Sequence, residues 1–170
     1  MIDSILEKIP EGARDVKVNF KNAIDESRSK LTPSEMGVVA ISCAIVTKNQ
    51  NLIQALEEKF KPILSENEFN ASKTVAGIMG INNVYYRFTH LCENQAYSNM
   101  PAGLRMQGMM NHGISKRIFE IASLAVSAIN GCGACMDSHE KTLKHEGVEE
   151  VVIQEAVKLG AIINALSYFA

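Results

Sequence analysis

Apolar positions recur along almost the whole chain at helical spacing, and no run shows the period-two alternation of a strand. A short segment from Asp3 to Ile9 is stopped by Pro10. Val16, Phe20, Ala23 and Ile24 then mark one side of an amphipathic helix predicted over Arg14 to Ser27. Thr32-Pro33-Ser34-Glu35 is a helix start: Thr32 caps, Pro33 takes the first helical position, and Glu35 can close a capping box. The run Met36 to Val46 is nearly all apolar and must be buried, and Asn49 to Asn51 breaks it. Leu52, Ile53, Leu56 and Phe60 mark another helix closed near Pro62. Ala71 to about Cys92 reads as helical, with Gly77 and Gly80 spaced for close helix contact. Met100 to Gly103 begins a further segment, and Asn111-His112-Gly113 is a loop. From Ile118 to Ile129 the chain is apolar or small except for Glu120, Ser123 and Ser127, which fits a buried helix and is too short for a membrane span. Asn130-Gly131 stops it, because both residues tolerate the left-handed conformation that closes a helix. Cys132 begins the next helix, which Gly147 ends, and Val148 to Tyr168 supplies the last.

This pattern predicts an all-α fold and a single domain over residues 1–170, with no linker and no low-complexity stretch. It also carries an internal echo. Thr32 to Leu56 and Ser115 to His139 share one design: a capping hydroxyl, an apolar helix, a break, then a second helix. Aligned, Gly37 falls opposite Glu120, Asn49 opposite Cys132 and Leu52 opposite Cys135. A duplication and two independent antiparallel helix pairs both account for it.

Composition narrows the function. A chain of 170 residues buries about 70% of its unfolded surface and needs no disulfide or metal to fold. A net charge of −2 argues against a nucleic-acid footprint. The N-terminus, Met1-Ile-Asp3-Ser-Ile-Leu-Glu7-Lys8, carries acids and no long apolar core, so the expected location is a reducing cytoplasm with no membrane attachment. There a Cys pair is expected to be catalytic or metal-binding rather than structural. Cys43 and Cys92 lie in apolar helical contexts and are expected to be inert buried thiols.

The candidate chemistry is concentrated in Glu120, Cys132, Cys135 and His139. On one helix Cys132, Cys135 and His139 occupy i, i+3 and i+7, which is one face. The thiolate is the nucleophile, and a helix N-terminus favours it through unpaired N–H groups and partial positive charge. His139 can pass or hold a proton, and burial would raise the Glu120 carboxyl toward the range of a general base. Two thiols one turn apart can close a disulfide, so one can attack and the other resolve. Blander readings stand beside these: Glu120 as a surface acid in a first turn, His139 on a solvated face. A zinc-binding module would use Cys132, Cys135 and His139, with Glu120 or His145 as the fourth ligand. A haem attachment would need His directly after the second Cys, where Met136 stands, and a thioredoxin motif would need a strand before it.

Glu120-x11-Cys132-x2-Cys135-x3-His139 resembles the active-site signature of the alkyl hydroperoxidase D (AhpD) family, a branch of the carboxymuconolactone decarboxylase-like superfamily. Gly103-Leu-Arg-Met106, Phe119-Glu120, Ala125 to Cys132, His139-Glu-x-Thr-Leu143 and Asn82-Asn-Val-Tyr-Tyr-Arg-Phe88 resemble it too, so the likeness covers nearly the whole chain. The resemblance implies an all-α AhpD-like bundle with a two-fold helical repeat, assembled as a homotrimer. It implies an alkyl hydroperoxide reductase with no bound cofactor or metal, reduced by dihydrolipoyl groups and able to reduce a partner peroxiredoxin, alkyl hydroperoxide reductase C. Matched by position, Cys135 is the attacking thiol, Cys132 its resolving partner, and Glu120 and His139 the proton relay. One position departs: members carry a second His just before the second Cys, and here that residue is Ala134. A decarboxylase or lactone-processing enzyme on the same fold is the other alternative, but such chemistry has no use for a dithiol.

Overall fold

The computed structural model describes all 170 residues and is all-helical. Its helices are α1 (Ile2–Lys8), α2 (Arg14–Ala23), α3 (Pro33–Thr47), α4 (Gln50–Phe60), α5 (Glu66–Leu91), α6 (Lys116–Ile129), α7 (Gly133–His145) and α8 (Glu150–Leu166). The long connection between α5 and α6 holds only two short 3-10 turns, Tyr97–Asn99 and Gln107–Met109.

The two most apolar helices form the centre. α3 buries every side chain from Glu35 to Ala44, and α6 buries every one from Phe119 to Ser127. They pack against each other, with α5 and α8 against both, α4 and α7 outside them, and α2 on α8. Burying a large apolar side chain contributes about 1.5–3 kcal/mol, so Phe119, Ile121, Met36 and Ile41 make this centre the main source of stability. Close approach has a local cause at Gly160 of α8. A Cβ there would lie 3.3 Å from Cys43 Sγ and 3.4 Å from Ala125 Cβ, so a side chain would fit only if Cys43 gave way by a few tenths of an ångström. The starts of α3 and α6 are tied by Glu35, which accepts from Thr32 N at 2.8 Å and from Arg117 Nε at 2.6 Å.

The internal echo is visible in the caps. Thr32 and Ser115 cap α3 and α6, each accepting from the backbone N–H three residues on. Asn49 and Cys132 cap α4 and α7 in the same way, through Leu52 N and Cys135 N. α5 and α8 follow from Ser65 and Glu149, so α3-α4-α5 is repeated as α6-α7-α8.

Several boundaries differ from the sequence expectation. α2 ends at Ala23 instead of Ser27, because the Asp25 carboxylate accepts from both the N–H and the hydroxyl of Ser27 and closes a turn. α5 starts at Glu66 instead of Ala71, from a capping box between Ser65 and Glu68. Cys92 is half-buried at the end of α5 and not enclosed, since the chain leaves the bundle there. No helix is long and apolar enough to cross a membrane.

Candidate active site

The turn between α6 and α7 brings the sequence-predicted residues together. Gly131 adopts φ +68°, the left-handed region open to glycine, and lets the chain reverse. Gly131 N donates to Ala128 O and Cys132 N to Ser127 O, which closes the end of α6. Cys132 is then the N-cap of α7, with its Sγ accepting from Cys135 N at 3.3 Å. Cys132 and Cys135 are joined by a disulfide. Cys132 is fully enclosed, whereas Cys135 keeps 6% exposure and opens on a pocket.

One turn along from Cys135, and two from Cys132, the same helix carries His139 inward. His139 is 5% and Glu120 9% exposed, so neither the solvated-face nor the surface-acid reading holds. Their contact is His139 Nδ1 to Glu120 Oε2 at 2.6 Å. The other ring nitrogen, Nε2, lies 3.3 Å from Met79 Sδ. A thioether sulfur only accepts, so this contact is a hydrogen bond when Nε2 carries a proton. The short Nδ1–Oε2 contact is made by Nδ1–H donating to the Glu120 carboxylate or by the carboxyl proton donating to Nδ1.

Met79 belongs to a face of α5 that sequence reasoning did not assign to the site. Along this face Asn83 Nδ2 donates to Ser127 Oγ at 2.9 Å, and Asn83 Oδ1 accepts from Asn130 Nδ2 at 2.9 Å. Arg87 donates to the Asn130 carbonyl at 2.5 Å. These bonds fix α5 against the α6–α7 turn and so against the disulfide. Two inward asparagines in the middle of a helix are the signal that could have found this face, since a helix interior otherwise excludes them unless they are bonded. Asn82 is 5% exposed; its Nδ2 donates to Met109 Sδ at 3.2 Å, and its Oδ1 has no partner in the protein. Its backbone carbonyl oxygen lies 3.9 Å from Cys135 Sγ.

The pocket at Cys135 has a volume of about 350 Å³, within the range of small-molecule sites. Asn82 and Tyr86 of α5, Met106 and Met109 of the connection, and Cys135 and His139 of α7 line it. Elsewhere, His112 stacks on Phe119 at 4.3 Å, its Nδ1 accepts from Ile114 N at 3.4 Å, and His145 stands exposed in the last turn of α7. No three His, Cys, Asp or Glu side chains are grouped as a metal site requires, and both nitrogens of His139 are engaged. Burial pushes the thiol of Cys43 well above the ordinary thiol range, as expected of an inert cysteine.

Comparison with known proteins gives a consistent picture. Residues 95–167 match the carboxymuconolactone decarboxylase family, a stretch that contains the whole α6-α7 unit. The alkyl hydroperoxide reductase AhpD of Acidobacterium capsulatum is 42% identical over 165 residues, 97% of this chain and 90% of that protein. The same-named protein of a Bradyrhizobium species is 46% identical over 167 residues, 98% of this chain and 91% of that protein. That of Coxiella burnetii is 40% identical over 168 residues, 98% and 95% of the two chains. With this identity over nearly its full length, the chain belongs to the AhpD family, within the carboxymuconolactone decarboxylase family.

Proposed function

We propose that the protein is a thiol-dependent alkyl hydroperoxide reductase in which Cys135, Cys132, Glu120 and His139 carry the reaction. The observation behind this reading is a single pocket that Cys135 and His139 line together, with the His139–Glu120 proton pair behind it. In the reduced enzyme the Cys135 thiol gives its proton to the pair, and the thiolate attacks the terminal oxygen of the hydroperoxide. The O–O bond breaks, the sulfur becomes a sulfenic acid, and the alkoxide leaves as the alcohol with the proton returned by the pair. The Cys132 sulfur then displaces the sulfenic oxygen as water and closes the disulfide.

Reduction follows from the unequal exposure of the two sulfurs. A donor dithiol reaches Cys135, and Cys132 leaves as a thiolate onto the Cys135 N–H at the start of α7, where the helix end favours negative charge. The second donor thiol then releases Cys135 as thiolate. Dihydrolipoyl groups are the donor in this reading, and the partner peroxiredoxin alkyl hydroperoxide reductase C draws on the same dithiol. No cofactor has to be bound, because electrons arrive by thiol exchange. A reducing cytoplasm suits such a cycle. Assembly is a homotrimer, a reading supported by the exposed apolar side chains Ile81, Val84, Phe88 and Leu91 on α5.

The test is stoichiometric. One equivalent of cumene hydroperoxide added to fully reduced protein consumes the Cys132 and Cys135 thiols together and releases one equivalent of cumyl alcohol. Thiols that stay unchanged while the peroxide persists would overturn the reading.

A further inference from the structure

The pocket at Cys135 adjoins a second one. Tyr86 and Ala134, which border the first, also border a cavity of about 440 Å³ walled by Tyr85, His90, Tyr97 and Met100. Nothing larger than the methyl of Ala134 comes from α7 at this boundary. The second cavity is a built groove, because its outer wall is fastened to α5: Ser98 Oγ donates to Thr89 O at 3.0 Å, and the Tyr97 ring packs 5.1 Å from that of Phe88. No Asp, Glu, Lys or Arg lines it, and its surface is tyrosine rings, a thioether and small side chains with one His. Such a surface gives an aliphatic chain ring and thioether contacts, and it supplies no lysine or arginine to a carboxylate or phosphate.

We propose that Ala134 opens a passage for the substrate tail, so that this enzyme selects hydroperoxides bearing an extended, uncharged alkyl chain. The hydroperoxide group sits at Cys135, and the chain runs past Ala134 and Tyr86 onto Tyr97 and Met100. This inference rests on the peroxidase reading. It assigns Ala134 a role in specificity that a ring at that position would close.

The test uses straight-chain primary hydroperoxides from ethyl to octyl, with dihydrolipoamide as reductant. In the wild type, kcat/KM rises with chain length, toward a limit of about fourfold per buried methylene. Ala134→Leu flattens that slope. Met100→Gln, a change in the exposed outer wall that leaves α7 untouched, lowers it for the hexyl and octyl compounds only. Consumption of every peroxide with a flat wild-type slope would overturn the proposal, as would a steep slope that survives both Ala134→Leu and Met100→Gln. A raised KM for dihydrolipoamide in Ala134→Leu with the slope intact would assign the groove to the reductant and also overturn it. If no hydroperoxide is consumed at all, the peroxidase reading itself fails, and the two failures are distinct.

Discussion

Met79 holds its sulfur 3.3 Å from Nε2 of His139, the ring nitrogen that does not face Glu120. Ser127, whose hydroxyl lies 3.7 Å from the same sulfur, helps keep the thioether in place. Glu120 Oε2 holds the other ring nitrogen, Nδ1, at 2.6 Å, so Met79 and Glu120 together orient the ring. In the proposed reaction His139 and Glu120 act as one acid-base unit.

Met79→Leu keeps nearly the same volume and removes the acceptor. Such swaps usually cost less than about 1.5 kcal/mol, with about 1–3 kcal/mol added if Nε2–H is left unsatisfied. The ring then loses one of its two orienting contacts, so the pH profile of kcat/KM is expected to shift or broaden while the fold is kept. A wild-type profile in a folded Met79→Leu would reduce the contact to packing.

The two cysteines are expected to fail differently. Cys135 opens on the pocket and Cys132 is enclosed behind it, so Cys135→Ser abolishes peroxide consumption. Cys132→Ser still reacts once and stops at a sulfenic acid that a dimedone-type reagent labels. Equal labelling of both variants, or full turnover in Cys135→Ser, would reverse the assignment.

Much of this was legible because caps and stops are local. Thr32 and Ser115, Asn49 and Cys132, and the Asn130-Gly131 stop each act through bonds to residues within a few positions, so spacing alone placed α3, α6 and α7. The Ser65–Glu68 box was equally local and was overlooked, which is why α5 begins a turn earlier than the apolar pattern suggested. What periodicity could not supply was the α5 face. Met79, Asn82 and Tyr86 meet α7, and Asn83 the end of α6, across a long intervening connection, and no local rule says that two mid-helix asparagines face inward instead of toward solvent. Cys92 misled for a related reason, since its apolar sequence neighbours Phe88 and Leu91 are themselves exposed.

That exposure carries a prediction about assembly. Ile81, Val84, Phe88 and Leu91 share one face of α5, with Val84 61% and Leu91 71% exposed. A face of this kind is expected to be covered by another copy of the chain. Sedimentation of the wild type should give a mass well above the 18.6 kDa of one chain, and Val84→Glu with Leu91→Glu should return it to the monomer. A wild-type monomer at micromolar concentration would reject the homotrimer.

Cys43 supplies a stability prediction at alkaline pH. Its folded thiol is held protonated by burial, while the unfolded chain releases that proton in the ordinary thiol range near 9. Below that range the contribution is fully present. Above it the folded state binds more protons than the unfolded one, so stability falls as pH rises. The alkaline drop in urea midpoint should be smaller in Cys43→Ala than in the wild type, and equal drops would count against the burial effect. In the native protein Cys43 should also resist thiol reagents that modify Cys92.

The sharpest test of the proton pair is Glu120→Gln. The amide has nearly the volume and shape of the carboxylate, so the packing of α6 against α7 is kept. The amide can donate its NH₂ to a His139 Nδ1 lone pair or accept from Nδ1–H through its oxygen, so the 2.6 Å contact is replaced by an ordinary hydrogen bond. Geometry therefore survives while the pair loses its second proton site. The variant should fold and close the Cys132–Cys135 disulfide, but peroxide turnover should fall about a hundredfold or more, the usual size of a general-base contribution. The loss should appear in kcat, because the group lies behind the pocket and is not among the residues that line it. His139→Gln, which removes the other half of the unit, should cost a similar factor, and the double variant little more than either alone. Additive losses would mean that Glu120 and His139 serve separate steps. Wild-type turnover in Glu120→Gln would mean that the buried carboxylate only orients the ring.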